Sequence, residues 1–314
     1  MSTFLITQAT GGQSGWSITH LLAAGAKVHA MVRDLKKELP AVLKEPGVTL
    51  FEGESTNFDA IYKAAQGCQG VFLNTFSHPP GLETEQSKTI LAAAKKAGVA
   101  TVVYSSVVGT DDAALRESDA VSDCGLAGYY ASKHEAEQDV RAAGFAAYTI
   151  VRPAVIHYDL STPRHAMNFP RLASHGELDD LLLPGRKMAF TDAEDIGKYV
   201  AAALLDGADG GKFAGQEINV YSELLGLDEV AAVLNKVGGK RGVKAVKRTV
   251  EELKTMNALV FGQYFQLLFN AHDSIFKSTE AAMVQAKYGI PFNSLEASLT
   301  RDKADLLDIL ANVN

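Results

Sequence analysis

Two side chains able to move a proton lie one helical turn apart. Tyr129 and Lys133 frame the segment Tyr129-Tyr130-Ala131-Ser132-Lys133, inside a stretch from Gly128 to Ala143 that reads as a helix ending at Gly144. Residues at i and i+4 share a helix face, so phenol and ammonium can act together. A free tyrosine, with a pKa of about 10, keeps its proton near neutrality, and a neighbouring cation favours its phenolate. Such a tyrosine can give a proton to a carbonyl oxygen as hydride arrives, and take it back in the reverse direction. The plain alternative is an ordinary helix tyrosine, because this spacing recurs by chance. Upstream, Tyr104-Ser105-Ser106-Val107 closes a β-branched run. A serine hydroxyl at a strand end can bond a substrate carbonyl or satisfy local backbone groups. Ser106 is preferred for the first role.

Hydride chemistry needs a carrier, and the first 33 residues hold a place for one. Phe4-Leu5-Ile6-Thr7 is a short apolar run that leads into Gln8-Ala9-Thr10-Gly11-Gly12-Gln13-Ser14-Gly15. An amphipathic stretch, Trp16 to Ala24, ends at Gly25, and a second run, Lys27 to Val32, stops at Arg33. Strand, glycine loop, helix, strand is half of a dinucleotide-binding unit. Glycines let the backbone approach a pyrophosphate, and the helix N-terminus behind them offers free N–H groups. A cation at the end of the second strand favours the 2′-phosphate of NADP over the ribose of NAD, and this role is preferred for Arg33 over that of a solvated surface residue. Two positions break the G-x-x-G-x-x-G pattern: Gln8 is first and Ser14 third, Gly11 is in place, and Gly15 comes one residue late. Gln8 is the larger departure, because its side chain sits where the turn is tight.

These residues need elements to position them. Short apolar runs at Val48–Glu52, Val71–Asn74, Thr101–Ser105 and Ala147–Val151 alternate with helical stretches at Asn57–Gln66, Glu83–Ala97 and Gly128–Ala143. That alternation implies βαβ units and an α/β fold, a doubly wound parallel sheet (Rossmann fold). Ligands would then lie at the C-terminal strand ends. Beyond Pro153 the rhythm changes. Asp159 to Leu172 is irregular, Asp195–Leu205 and Leu227–Val237 read as helices, and Glu217–Tyr221 as one more strand. Val250 to Phe276 reads as largely helical and rich in aromatics. The expected organisation is a Rossmann domain over residues 1–155, with 186–221 returning to it. Residues 156–185 and 222–314 then form a smaller, mostly helical substrate lobe.

With these pieces in view, the chain resembles the NmrA-like branch of the atypical short-chain dehydrogenase/reductases over nearly its whole length. The resemblance rests on Ala9-Thr10-Gly11-Gly12-Gln13, Met31-Val32-Arg33-Asp34, the serines after the fifth strand, Lys133, Val151-Arg152-Pro153, and Phe190-Thr191-Asp192-Ala193-Glu194-Asp195-Ile196-Gly197. It implies NADP(H) extended across the strand ends. Thr10, Gly11, Gln13 and Ser14 would lie along the pyrophosphate, and Arg33 would meet the 2′-phosphate. Asn74 and Thr75 would border the adenosine and ribose. Lys133 would hold the nicotinamide ribose, and Pro153 and Val155 would border the nicotinamide ring. Some members of the family are enzymes, often of specialised metabolism. Others resemble redox-sensing regulators that bind the cofactor and lack the tyrosine. Tyr129, in register with Lys133, favours an enzyme.

Composition sets outer bounds. The chain has 314 residues, is 47% hydrophobic and 21% charged, and carries a formal charge of −7, which argues against a general nucleic-acid binder. Cys68 and Cys124 show no metal-ligand or disulfide spacing, and the histidines form no H-E-x-x-H, so no metal and a reducing, cytoplasmic setting are expected. No signal peptide is read, and no run reaches the ~20 apolar residues of a membrane span. Asp192 and Asp195 are read as helix caps rather than a catalytic pair. Lys240, Arg241, Lys244, Lys247 and Arg248 form a basic cluster read as a solvated face. His157 and Tyr158 follow the sixth strand, where family members face substrate, although loop packing is an equal alternative for them. The stripe Phe261, Tyr264, Phe265, Leu268, Phe269 reads as core. Its alternative is an apolar wall with Met167 and Phe169, which would imply an apolar or aromatic substrate. The expectation is an NADP(H)-dependent reductase of a small, largely apolar carbonyl, enone or imine-type compound. A cofactor-sensing regulator and a non-redox cyclisation stand as its alternatives.

Overall fold

The structure, a computed structural model, describes residues 2–207, 211–239, 242–272 and 275–313. The chain begins β1 (Thr3–Ile6), α1 (Gly12–Ala23), β2 (Lys27–Val32), β3 (Val48–Glu52), α2 (Phe58–Ala65), β4 (Gly70–Leu73), α3 (Leu82–Lys96) and β5 (Thr101–Ser105). Short helices α4 (Ala113–Arg116) and α5 (Asp119–Asp123) precede α6 (Ala127–Ala142), β6 (Ala147–Pro153), β7 (Val155–Ile156), α7 (His165–Asn168), α8 (Leu172–His175) and β8 (Glu177–Asp180). Then come β9 (Met188–Thr191), α9 (Ala193–Asp206), β10 (Gln216–Val220), β11 (Glu223–Leu225), α10 (Leu227–Gly238) and β12 (Lys244–Lys247). The chain closes with α11 (Val250–Thr255), α12 (Phe261–Ala271), α13 (Glu280–Tyr288), α14 (Leu295–Arg301) and α15 (Lys303–Ile309). Two compact units result: residues 1–111, 128–153 and 193–220, and residues 112–127, 154–192 and 221–314.

The first unit is a doubly wound Rossmann fold. Its seven strands are all parallel, in the order β10-β6-β5-β4-β1-β2-β3. Strands covered on both faces need consecutive rather than alternating apolar residues, and every residue of β4 and of β5 is buried. The direction of winding reverses between β1 and β4, so the loops after these two strands flank the switch point where such sheets bind ligands. Gln8 to Ser14 follow β1, and Asn74 and Thr75 follow β4. On one face α9 packs against α1. A Cβ on Gly197 would lie 2.6 Å from the Trp16 backbone carbonyl carbon, so this glycine is what lets the two helices approach so closely.

The second unit holds a three-stranded sheet, β11-β9-β7, and a two-stranded parallel ribbon, β12-β8. Residues 188–191 belong to that three-stranded sheet, so the segment returning to the first unit is 193–220. In the basic stretch expected to be a solvated face, Lys244 and Lys247 are indeed exposed, and the stretch is also half of a charge ladder. Lys244 stands opposite Glu177 and Lys247 opposite Asp180, with ion pairs Lys247–Asp180 at 2.8 Å, Arg248–Glu177 at 2.7 Å and Arg248–Asp179 at 3.2 Å. Lys240 and Arg241 lie outside the described residues. The aromatic stretch is broken after Thr255 and resumes as α12, whose polar side chains grip backbone. Gln266 accepts from Leu181 N and donates to Asp179 O, and Asn270 accepts from Leu183 N and donates to Leu181 O. Residues 273–274 of that stretch lie outside the described set. Among the described residues no helix is long and apolar enough to cross a membrane, and no cluster of His, Cys, Asp and Glu could hold a metal.

Gly197→Ala is expected to force α9 away from α1 and to lower stability by about 1–3 kcal/mol, as overpacking a tight contact does. Urea unfolding reads this directly; an unchanged midpoint would refute the close-contact assignment.

Candidate functional site

The loop after β1 departs from a glycine pattern at Gln8, and the backbone shows what that departure involves. Gln8 has φ 50°, one of two non-glycine residues with positive φ among those described. It therefore occupies the left-handed conformation that glycine takes without steric cost. Its carbonyl accepts from Gly11 N at 2.8 Å, and its carboxamide reaches Ser55 Oγ at 3.4 Å. Gly11 then caps α1 with no side chain in the way, leaving the first-turn N–H groups without intrahelical acceptors. A groove of about 290 Å³ runs beside them, lined by Thr10, Gly11, Gly12, Trp16, Pro40 and Val42 among others. Arg33 is exposed at the end of β2, its guanidinium 5.9 Å from the centre of the Phe76 ring. Free N–H donors, a bare glycine turn and an exposed guanidinium make a set that fits a phosphorylated dinucleotide.

Two expected pyrophosphate residues are used differently. Ser14 is fully buried; its hydroxyl donates to Thr7 O at 2.9 Å and accepts from Asn74 Nδ2 at 3.2 Å. It therefore braces the loop from behind, because the third residue of α1 faces the sheet. The Gln13 carboxamide oxygen accepts from Ser105 Oγ at 2.7 Å, which ties the loop to the end of β5. Thr75 is also turned inward, its hydroxyl 2.6 Å from Glu83 Oε1.

Glu83 is the residue that the sequence reading missed. It is fully buried in the first turn of α3. Its Oε1 meets Lys133 Nζ at 2.8 Å and accepts from Thr75 at 2.6 Å and from the Tyr104 hydroxyl at 3.1 Å. Its Oε2 accepts from Ser132 at 2.8 Å. Burial works against this carboxylate, yet the charge of Lys133 and the bonds from Lys133, Thr75 and Ser132 hold its pKa below the usual value. Burial, with Glu83 beside it, pushes the Tyr104 phenol well up, so it stays a donor. A signal was present: Glu83 shares the buried stripe of α3 with Gln86, Ser87, Ile90, Leu91 and Ala94, a spacing that aims its side chain inward.

Lys133 is likewise buried. It sits 3.5 Å from Ser105 O and 6.0 Å from the centre of the half-exposed Tyr129 ring. Tyr129 packs edge-on against Tyr130, whose hydroxyl donates to Val108 O at 3.4 Å. Ser106, preferred as the substrate-facing serine, is buried with its hydroxyl 3.4 Å from Thr110 Oγ1; the serine wired to the glycine loop is Ser105. One turn after Lys133, Glu137 takes a two-pronged bond from buried Arg152 at 2.8 and 2.7 Å, and Arg152 also meets Asp111 at 3.1 Å. That explains the arginine of Val151-Arg152-Pro153: it pins α6 to β6. Pro153 ends β6, and Val155 lies in β7 of the second unit.

The expected substrate-facing residues of the second unit fall into different environments. His157 is buried, with Nδ1 2.6 Å from Ser298 Oγ, which is the packing alternative. Phe169 is 1% exposed and Met167 56% exposed. Tyr158 stacks under the Arg164 guanidinium at 5.2 Å. Phe261 and Phe265 are half-buried and edge-to-face at 4.9 Å, whereas Leu268 and Phe269 of the same stripe are core. Asp192 is bonded to Arg301 at 2.8 and 3.0 Å.

Residues 1–307 match the NmrA-like family. The chain belongs to that family. Over 217 residues it is 28% identical to a 2-alkyl-3-oxoalkanoate reductase of Shewanella oneidensis, a match spanning 62% of this chain and 54% of that protein. Among solved structures it is similar to NmrA, a negative transcriptional regulator in complex with NAD, with TM-score 0.70 and 21% identity over 98% of this chain and 99% of that one. It is also similar to an NADPH-dependent quinone oxidoreductase from Escherichia coli complexed with NADPH, with TM-score 0.68 and 20% identity over 95% and 99%. A third likeness is to the Citrobacter sp. triphenylmethane reductase complexed with NADP(H), with TM-score 0.65 and 21% identity over 96% and 99%. At these identities the three structures establish the fold. Within this NmrA-like chain, then, the loop after β1 is a variant that meets a tight turn with glutamine.

Two outcomes follow from these environments. Gln8→Gly should unfold at no lower urea concentration than wild type, since relief of left-handed strain of about 1 kcal/mol offsets the extra chain entropy of glycine. Gln8→Val, β-branched at positive φ, should lose more than about 1 kcal/mol; identical midpoints for the two variants would contradict the backbone assignment. Burial pushes the His157 imidazole down to about 4 against the pull of Asp192. The unfolded chain therefore takes up this proton first as pH falls. The contribution is present above about pH 6.5 and is lost toward about pH 4, up to roughly 3 kcal/mol. His157→Gln should flatten the acid limb of stability against pH; an equally steep limb in the variant would exclude His157 as its source.

Proposed function

We propose that this protein is an NADP(H)-dependent oxidoreductase that moves a hydride between NADPH and a small, largely apolar carbonyl, enone or imine-type substrate. One observation carries the reading: Tyr129 stands one turn before a lysine that is held at 2.8 Å by a buried carboxylate, in the same unit as the glycine loop. Thr10, Gly11 and the first turn of α1 hold the pyrophosphate, and Arg33 with Phe76 holds the phosphorylated adenosine. Asn74 and Thr75 border the ribose, and Lys133 donates to the nicotinamide ribose. When bound, NADPH supplies the hydride. The Tyr129 hydroxyl gives its proton to the substrate oxygen or nitrogen. Glu83 stands against Lys133 at 2.8 Å, and the ammonium serves chiefly as a fixed donor. The apolar character of the substrate is proposed from the aromatic-rich sequence of the expected substrate lobe, Phe261 and Phe265 included. Support also comes from the reductases among the similar proteins.

A cofactor-sensing role is the second reading, favoured by the likeness to a transcriptional regulator. Turnover separates the two. With a substrate in hand, Tyr129→Phe should lose about 10²–10⁴-fold in kcat, the usual worth of a positioned proton donor, and should still bind NADPH. Undiminished turnover in Tyr129→Phe would remove Tyr129 from the chemistry. In parallel, Arg33→Ala should erase a preference for NADPH over NADH; equal affinity of wild type for both would overturn the Arg33 assignment.

A further inference from the structure

Lys133 has four close neighbours within the first unit. Glu83 of α3 meets it at 2.8 Å, Ser105 O of β5 lies at 3.5 Å, and the rings of Tyr104 and Tyr129 stand 5.6 and 6.0 Å away. Further along α6, Glu135 is paired with Lys88 at 2.7 Å and Glu137 is committed to Arg152. An ammonium has three protons. The carboxylate and the carbonyl engage two of them, which leaves one for a ligand.

The geometry points to Glu83 as the positioning residue of the proposed site: it keeps Lys133 charged and aimed, and ties it to Thr75 on the ribose side. This rests on the function proposed above. Four donors converge on one buried carboxylate, from the loop after β4, from β5 and from α6. A buried lysine without a counter-charge sheds its proton readily, by up to several pH units. Glutamine at position 83 would keep the shape and most of the bonds but remove that counter-charge. Aspartate would keep the charge on a shorter arm. Glu83 therefore acts on the ligand through Lys133 and not by touching it, and its effect depends on pH in a way that a packing role does not.

Binding can be read without turnover. The chain has one tryptophan, Trp16, and it lines the groove beside the glycine loop, so its quenching by NADPH serves as the signal. The protein is titrated with NADPH between about pH 6 and about pH 10, a range wide enough to show the loss of a counter-charge beside a buried lysine. Wild type should hold a nearly constant Kd to about pH 9. Glu83→Gln should match wild type near pH 6 and lose about tenfold by pH 9, as the uncompensated lysine deprotonates. Glu83→Asp should restore the flat profile. The double variant Glu83→Gln/Lys133→Met, with neither charge left, should fold, bind weakly and show no such pH dependence. A Glu83→Gln curve parallel to wild type, whether coincident or displaced by a constant factor, overturns the positioning role while leaving the NADP(H) reading intact. Wild type that binds no NADPH at any pH overturns that reading and this inference with it.

Discussion

Beneath the C-terminal ends of β4 and β5, a carboxylate with no exposed surface faces a lysine that is almost as deeply buried, 2.8 Å away. Taking two such charges out of water costs several kcal/mol each, and their attraction offsets this only when the remaining lone pairs and protons find partners. Here they do: Thr75, Tyr104 and Ser132 saturate Glu83, and Ser105 O lies near Lys133. The requirement reaches far into the first unit. It fixes the rotation of α3 and of α6 about their axes, the course of the chain after β4, and the depth of the Tyr104 hydroxyl. A second buried pair, Glu137 with Arg152, repeats the device one turn further along α6 and fastens that helix to β6.

The glycine loop meets a different constraint. Close approach of backbone to a phosphate demands a tight turn, and a tight turn demands a residue at positive φ. Glutamine at that position accepts steric strain that glycine avoids. What holds it is local: Gly11 N on its carbonyl and Ser55 near its carboxamide. Ser14, in the place of a third glycine, is no defect either. At a fully buried position its hydroxyl joins the end of β1 to Asn74, a link that glycine could not make. In an NmrA-like chain the first departure thus carries strain held locally, and the second braces the base of the loop.

Much of this was legible in the residue order. Apolar runs without alternation marked the parallel strands: β3 and β5 fall where expected, and the ends of β4, α3, α6 and α9 within two residues. Local patterns of three to eight residues carry that information, and the fold depends on them. Pairing across the sheet was not legible, because it has no local signature. Nothing near Glu83 announces Lys133, fifty residues later, although the burial stripe of α3 says that the carboxylate must find some partner inside. The basic run at 244–248 shows the same limit. Its lysines read as solvated and are so, but the acidic strand at 177–180 that pairs with them has no signature there. His157 was ambiguous for a related reason: whether a residue after a strand faces ligand or core depends on what packs over it, here Ser298 from α14.

The amide side chains of α12 have a consequence for how the protein behaves among its own copies. A two-stranded ribbon leaves strand edges whose unpaired peptide groups invite another chain to join. Gln266 and Asn270 bond the backbone at residues 179, 181 and 183, alternate positions that a neighbouring strand would otherwise take. The helix thus impersonates a third strand and closes β8 to recruitment. The other strand, β12, begins and ends with lysine, the residue type that most discourages edge-to-edge pairing. Solubility of this ribbon is therefore written into two amides and two ammonium groups rather than into a larger sheet.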